Sequence, residues 1–319
     1  GVNLRTVNEA DSILLGAGNG FSLTAAELAR IDAPLLVIGS ALHAGAIRVM
    51  EAVDWDGDLT LQNQGGSGGI DIQAALDVGD HTLALASGGD IVQNAAGAIT
   101  AHSLLAIADG DVSLTAADND VSTDSVAGSA GGDFAYEDMD DVAIGEVSSR
   151  GFQPNDNLGL TALSADGIAA EGNVLVRTAS GDLILDADVS GTGIDLVAAE
   201  TFQNPGGAVL TASQGWRIWA RTWEGETRGG LQGEGPFDVF GCGFGGDCIG
   251  LAGGNQFIYQ EQRFIQSPLA PESVVEWIDD DQLVGSSQDL LQAALCPIGD
   301  FAGDPLKQGS DSDELARQW

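Results

Sequence analysis

A short phrase recurs along this chain: a glycine and an aspartate, followed by apolar residues in strict alternation with others. It reads Gly-Asp-Leu-Thr-Leu-Gln at Gly57–Gln62, Gly-Ile-Asp-Ile-Gln at Gly69–Gln73, His-Thr-Leu-Ala-Leu at His81–Leu85 and Gly-Asp-Val-Ser-Leu-Thr at Gly110–Thr115. It returns at Gly181–Asp186 and Gly193–Val197. Alternation with a period of two makes each copy a short strand with one buried face. Where the copies are densest, their starts lie roughly 8 to 13 residues apart and alternate copies about 20 to 24 apart, a spacing in the range of solenoid repeats. The pattern predicts an all-β fold of stacked coils.

A solenoid adds core one coil at a time, so a chain of 319 residues forms one elongated body plus an appendage more readily than two compact domains. Forty-six glycines against 6% aromatics suit tight corners and thin aliphatic interiors. The net charge of −37, with 48 acidic residues against 11 basic ones, repels nucleic acid and anionic membranes, so neither is expected as a partner. Two readings of the acidity stand side by side, a solubilising coat and a cation-binding role. No run of about 18 apolar residues is present to form a membrane span. The chain opens at Gly1 with no signal-like segment and is expected to be a processed or excised piece.

Four regions are expected. Residues 1–50 form a coil-capping or docking segment, in which Thr24–Glu27 fits a capping box opening a short helix that stops before Pro34, with strands at Leu35–Ile38 and Gly45–Met50. Residues 51–212 form the parallel β-helix. Within it the repeats loosen from about Asp120, the acidic run Asp133–Asp141 interrupts them, and Gln153–Leu158 is a loop or lateral insertion. Residues 213–266 form an aromatic cap module. Here Trp216, Trp219 and Trp223 either close the last coil or offer a platform for stacking on carbohydrate. In the same module Cys242 and Cys248 flank a glycine-rich loop that suits a disulfide better than zinc, because no histidine lies nearby; Cys296 is left over. Residues 267–319 form a tail, partly helical or extended. Its apolar positions Val274, Val275, Trp277, Ile278, Leu290, Leu291, Leu295 and Trp319 are candidate contacts with a neighbouring subunit.

The wording of Leu23–Gly39, Gly57–Gln62, Gly89–Asn94 and Ala98–Ala101, with Ala199–Leu210 followed by Gly215–Trp219, resembles the filamentous haemagglutinin-like large exoproteins of bacteria over about residues 20 to 260. The resemblance implies a right-handed parallel β-helix exported by two-partner secretion, with a role in adhesion or surface structure. That family's N-terminal secretion domain and long repeat array are not seen in residues 1–319, so a mature fragment is expected in preference to a long adhesin rod.

Catalytic signals are sparse. Arg177, Arg217 and Arg221 are the nearest candidates for a polysaccharide lyase, and no paired catalytic motif accompanies them. His43, His81 and His102 have no metal spacing. Gly65–Gln73 mimics a calcium nonapeptide with its aspartate one place late, and Asp118–Asp120 and Asp138–Asp141 lack the glycine and distal glutamate of a hand-type loop. No cofactor is expected beyond incidental weak binding of Ca²⁺. The chain reads as a non-enzymatic extracellular or cell-surface bacterial protein. The first reading is a self-assembling fibre subunit that contacts its neighbours through its ends and tail. The alternative is a monomeric adhesin fragment binding host or matrix glycans through Trp216, Trp219 and Trp223, and a lyase comes third.

Overall fold

A computed structural model describes residues 1–154, 159–234, 238–246, 248, 251 and 253–262. These residues wind into a parallel β-solenoid of about 10 turns with almost no helix, as the alternation predicts. Every copy of the recurring phrase is a strand: Asp58–Asn63, Ile70–Ile72, Thr82–Ser87, Val112–Leu114, Leu183–Leu185 and Ile194–Val197. The capping box at Thr24 and Glu27 is present and opens the single turn Ala25–Leu28.

Strands stack in columns whose register carries the repeat. On one face Leu36 pairs with Leu59, Leu59 with Leu83, Leu83 with Leu104 and Leu104 with Val126. On a second face one inward column runs Ile13, Ile47, Ile70, Ile91, Val112, Phe134, Val174, Ile194 and Trp216. A third face begins with Val53, Leu76 and Ile99. All these side chains are buried, because in a parallel ladder each rung repeats the inward and outward choice of the rung below. The sheets run through residue 50 without a break: Leu35–Ser40 and Ile47–Val49 are already rungs of the first and second faces.

The aspartate of the phrase has a structural role. Its side chain accepts the backbone N–H of the corner residue one coil further on: Asp58 from Thr82 at 3.1 Å, Asp90 from Asp111 at 3.0 Å, Asp111 from Asp133 at 2.8 Å and Asp133 from Asn173 at 2.7 Å. Asp141 does the same for Asp182 at 2.6 Å, and Asp182 for Thr201 at 2.8 Å. A corner turns backbone donors away from the sheet ladder, and a carboxylate is a strong acceptor for them. Corners also bring backbones together. Gly39 has φ +88°, and a Cβ there would lie 2.0 Å from the Gln62 carbonyl oxygen, so no other residue fits.

The acidic run does not interrupt the coils. Phe134–Asp138 is a rung of the second face, with Phe134 and Tyr136 inward. Asp138 is buried at a corner, where it accepts the Tyr136 hydroxyl at 2.5 Å and the Val121 N–H at 3.0 Å, and its other oxygen accepts the Asp140 N–H at 3.1 Å. Burial pushes its carboxyl up to about 6, against the pull of those hydrogen bonds.

Two insertions leave the coil. The first is an antiparallel hairpin, Glu146–Gln153 with Gly159–Asp166; of the loop or insertion expected at Gln153–Leu158, residues 155–158 lie outside the described residues. It lies on the outer side of the first face. Val147 and Leu163 cover the outward Ala84, Ala86, Leu105 and Ala127, Thr60 donates to the Arg150 carbonyl, and the Phe152 N–H reaches Gln62. Burial on both sides explains why Thr82–Ser87 reads Thr-Leu-Ala-Leu-Ala-Ser, with alanine where a solvent-facing strand would carry polar residues. The second insertion follows Ala220 and returns at Gln256–Tyr259.

Two outcomes follow for stability. Asp182→Ala is expected to lower unfolding stability by about 1–2 kcal/mol, since it leaves the Thr201 N–H without its acceptor, and Asp182→Asn by clearly less; urea denaturation of the three proteins checks this. Asp138 has a folded pKa above its unfolded value, so its protonated form favours the fold. That contribution is fully present below about pH 4, is lost as pH rises through about 6, and is on the order of 3 kcal/mol at most. Thermal midpoints should therefore rise more steeply from pH 7.5 to pH 5 in the wild type than in Asp138→Asn, whatever the absolute midpoint of the variant.

Candidate functional site

Outward side chains on the second face also stack in columns, and one column builds a site. Glu137 is in register with Arg177, Arg177 with Val197, Val197 with Trp219 and Trp219 with Ile258. The second insertion folds back over the end of this column. The Cys242 N–H donates to the Tyr259 carbonyl and the Gly241 N–H to that of Glu261. Cys242 and Cys248 are joined in a disulfide, with Cα atoms 5.5 Å apart. Cys242 packs with Trp219 and Ile258 in a small apolar cluster that Val197, Val239, Cys248 and Leu251 surround. Between this wall and the coil lies a trough of about 360 Å³, bordered by Glu137, Arg177, Val197, Trp219, Arg221, Phe244 and Gln260.

The groups in the trough are held in place. Arg177 donates to the buried Glu137 carboxylate at 2.5 Å. Arg221 donates to both oxygens of Glu200, at 2.8 and 3.0 Å, and its Nε lies 3.5 Å from Glu261. The Trp219 indole N–H donates to Asp195 at 2.8 Å, and the Phe244 ring meets the Trp219 ring edge-on at 5.4 Å. Phe244 is 41% exposed, whereas Trp219 is 6% exposed.

The three tryptophans singled out in the sequence separate. Trp216 points inward, because it continues the Ile194 column, and it stacks edge-on against Phe257 at 5.2 Å. Trp223 packs on Phe240 and Tyr259 at the last rung. Only Trp219 borders the trough, and the open ring there is Phe244, which sequence reasoning did not select. Arg177 and Arg221 both border the trough although they lie 2 coils apart, Arg177 on the rung before that of Val197 and Arg221 just after the strand of Trp219. Arg217, in register with Asp195 and Gln256, is not among its lining residues.

The end of the described coils is closed by a polar plug. The Arg228 guanidinium lies 3.9 Å from the centre of the Phe257 ring, donates to Asp238 at 2.7 Å and to the Tyr259 hydroxyl at 2.6 Å, and also bonds Glu226. Burial works against the charge of Arg228, but Asp238 and Glu226 outweigh it and hold the guanidinium more firmly protonated than usual. Burial, with Glu226 beside it, holds the Tyr259 phenol neutral.

The calcium-like segments are engaged in the fold. Asn63 donates to the carbonyls of Gly45, Gly68 and Gly69, and Asn119 is buried and bonded to Gln93, Leu114 and Glu137. Among the described residues, no group of three or more His, Cys, Asp or Glu side chains is placed to hold a metal ion, and no helix is long and apolar enough to cross a membrane. Val274, Val275, Trp277, Ile278, Leu290, Leu291, Leu295 and Trp319, like Cys296, lie outside the described residues. No family model, curated protein or solved structure matches the chain.

The disulfide loop is an appendage to rungs that are bonded without it. Reducing Cys242–Cys248 is expected to open segment 240–246 to limited proteolysis while leaving the far-ultraviolet circular dichroism of the coil unchanged; loss of the coil signal on reduction would show that the bond supports the solenoid itself.

Proposed function

We propose that this chain is a non-enzymatic, extracellular binding module of a bacterial cell surface, and that the trough beside the disulfide loop holds a saccharide. The observation that carries this reading is the convergence of an exposed aromatic ring, Phe244, with the apolar surface of Val197 and Trp219 and with two guanidinium groups each held by a carboxylate. Saccharides present apolar C–H faces and a rim of hydroxyl acceptors, which such a lining complements. Glu137, Glu200 and Glu261 are each bound to arginine, which suits orientation of a ligand better than acid–base chemistry. The disulfide agrees with an exported protein. The resemblance to filamentous haemagglutinin-like exoproteins agrees with adhesion.

A fibre subunit, the first reading of the sequence, draws its support from the ends of the solenoid, from residues 1–50 and from segment 267–319, the last of which lies outside the described residues. Within the described residues, Phe21, Leu23, Leu28 and Ile31 pack on the core of the first coil, and the Arg228 guanidinium lies over the Phe257 ring of the last.

The test is a glycan array probed with the untagged protein and with Phe244→Ala. Removal of the exposed ring should weaken binding roughly tenfold without changing the thermal midpoint, in keeping with about 1.4 kcal/mol for one aromatic contact. A wild-type protein that retains no glycan, or a variant that binds as well as the wild type, would overturn the assignment.

A further inference from the structure

The trough also carries information about the charge of its ligand. Resting on the saccharide reading above, we infer that the ligand is an uncharged oligosaccharide, and that the trough discriminates against uronate, sialylated and sulfated chains.

The two arginines look at first like a site for an anion. Their surroundings cancel that role. Arg177 is bonded to Glu137, and Arg221 lies between Glu200 and Glu261, so two guanidinium groups face three carboxylates. A fourth carboxylate, Asp195, holds the Trp219 indole at 2.8 Å with Arg217 in register beside it, so three guanidinium groups stand against four carboxylates. The immediate field of the trough is therefore negative, and it sits on a chain with a net charge of −37. A second carboxylate brought by a ligand would have to displace Glu200 from its two hydrogen bonds to Arg221, or enter without a counter-charge.

What the paired arginines keep is direction. A guanidinium carries five N–H groups, and the contacts of Arg177 to Glu137 leave others of its fork unused by that carboxylate. Neutral hydroxyl and ring oxygens can accept these hydrogen bonds without bringing charge. The column Glu137, Arg177, Val197 and Trp219 spans three rung spacings, roughly 14 Å. That length accommodates a short run of pyranose rings along the axis, with an apolar face on Val197 and Phe244 and hydroxyls toward the arginines.

The experiment uses the untagged full chain on an array printed with cellohexaose, mannohexaose and galactohexaose beside hexagalacturonate, sialylated glycans and heparin fragments, at low salt and at 0.5 M NaCl. Binding to uncharged glycans, changing less than twofold with salt, and at least tenfold weaker binding to charged ones at low salt are expected. The double variant Glu200→Gln/Glu261→Gln, altered only at half-exposed side chains, should gain at least tenfold for charged glycans and change little for uncharged ones. Preference of the wild type for charged glycans, or a double variant with unchanged selectivity, overturns the inference and leaves the saccharide reading in place. Retention of no glycan of either class overturns the saccharide reading itself.

Discussion

Everything in this molecule depends on the parallel hydrogen-bond ladder that sets one coil above the next. Parallel pairing in register copies the orientation of each side chain from rung to rung, so an inward position becomes a column and an outward position becomes another. The inward columns bury Leu, Ile and Val along most of the length, interrupted by Phe134 and Tyr136, and change to Trp216, Phe257 and Tyr259 toward the last described rungs. The outward columns make the surface a lattice with a spacing of about 4.8 Å along the axis. The trough is one stretch of that lattice with a wall added.

The acidic composition is not only a coat. Aspartates at the corners bond backbone donors of the following coil, so part of the negative charge stands where the backbone turns away from its sheet partners. Asp138 is the extreme case. Its carboxyl is buried and accepts three hydrogen bonds, and desolvation raises its pKa so that its protonated form favours the fold and that contribution is lost as pH rises through about 6. Basic groups are correspondingly constrained. Arg177, Arg221 and Arg228 each sit against carboxylates, two beside the trough and one as the plug over Phe257.

Departures from the coil supply the individuality of the molecule. The hairpin Glu146–Asp166 covers alanines of the first face that would otherwise be exposed apolar surface. The insertion after Ala220 brings the disulfide and Phe244 over the second face and, through Arg228, closes the last rung. Both insertions leave the stacking undisturbed because the next rung resumes in register, Phe134 with Val174 and Ile218 with Phe257.

The sequence by itself determined the coil, because period-two alternation with a recurring Gly-Asp corner is a local property that repeats often enough to be read. It also determined the short capped turn at Thr24, and it pointed to Cys242 with Cys248. The acidic run Asp133–Asp141 misled, since charge density hid the alternation of Phe134, Tyr136 and the buried Asp138. The role of the corner aspartates was equally invisible, because their partners lie about one coil away and depend on register. The site was legible only in fragments. Local patterns single out Trp219, Arg177, Arg221 and Cys242, but they do not separate Trp216 and Trp223 from Trp219, and nothing local marks Phe244. Which aromatic ring faces inward follows from the rung it continues, and which arginines meet follows from where an inserted loop lands. Both are consequences of stacking that no local pattern encodes, and only the tertiary structure decided them.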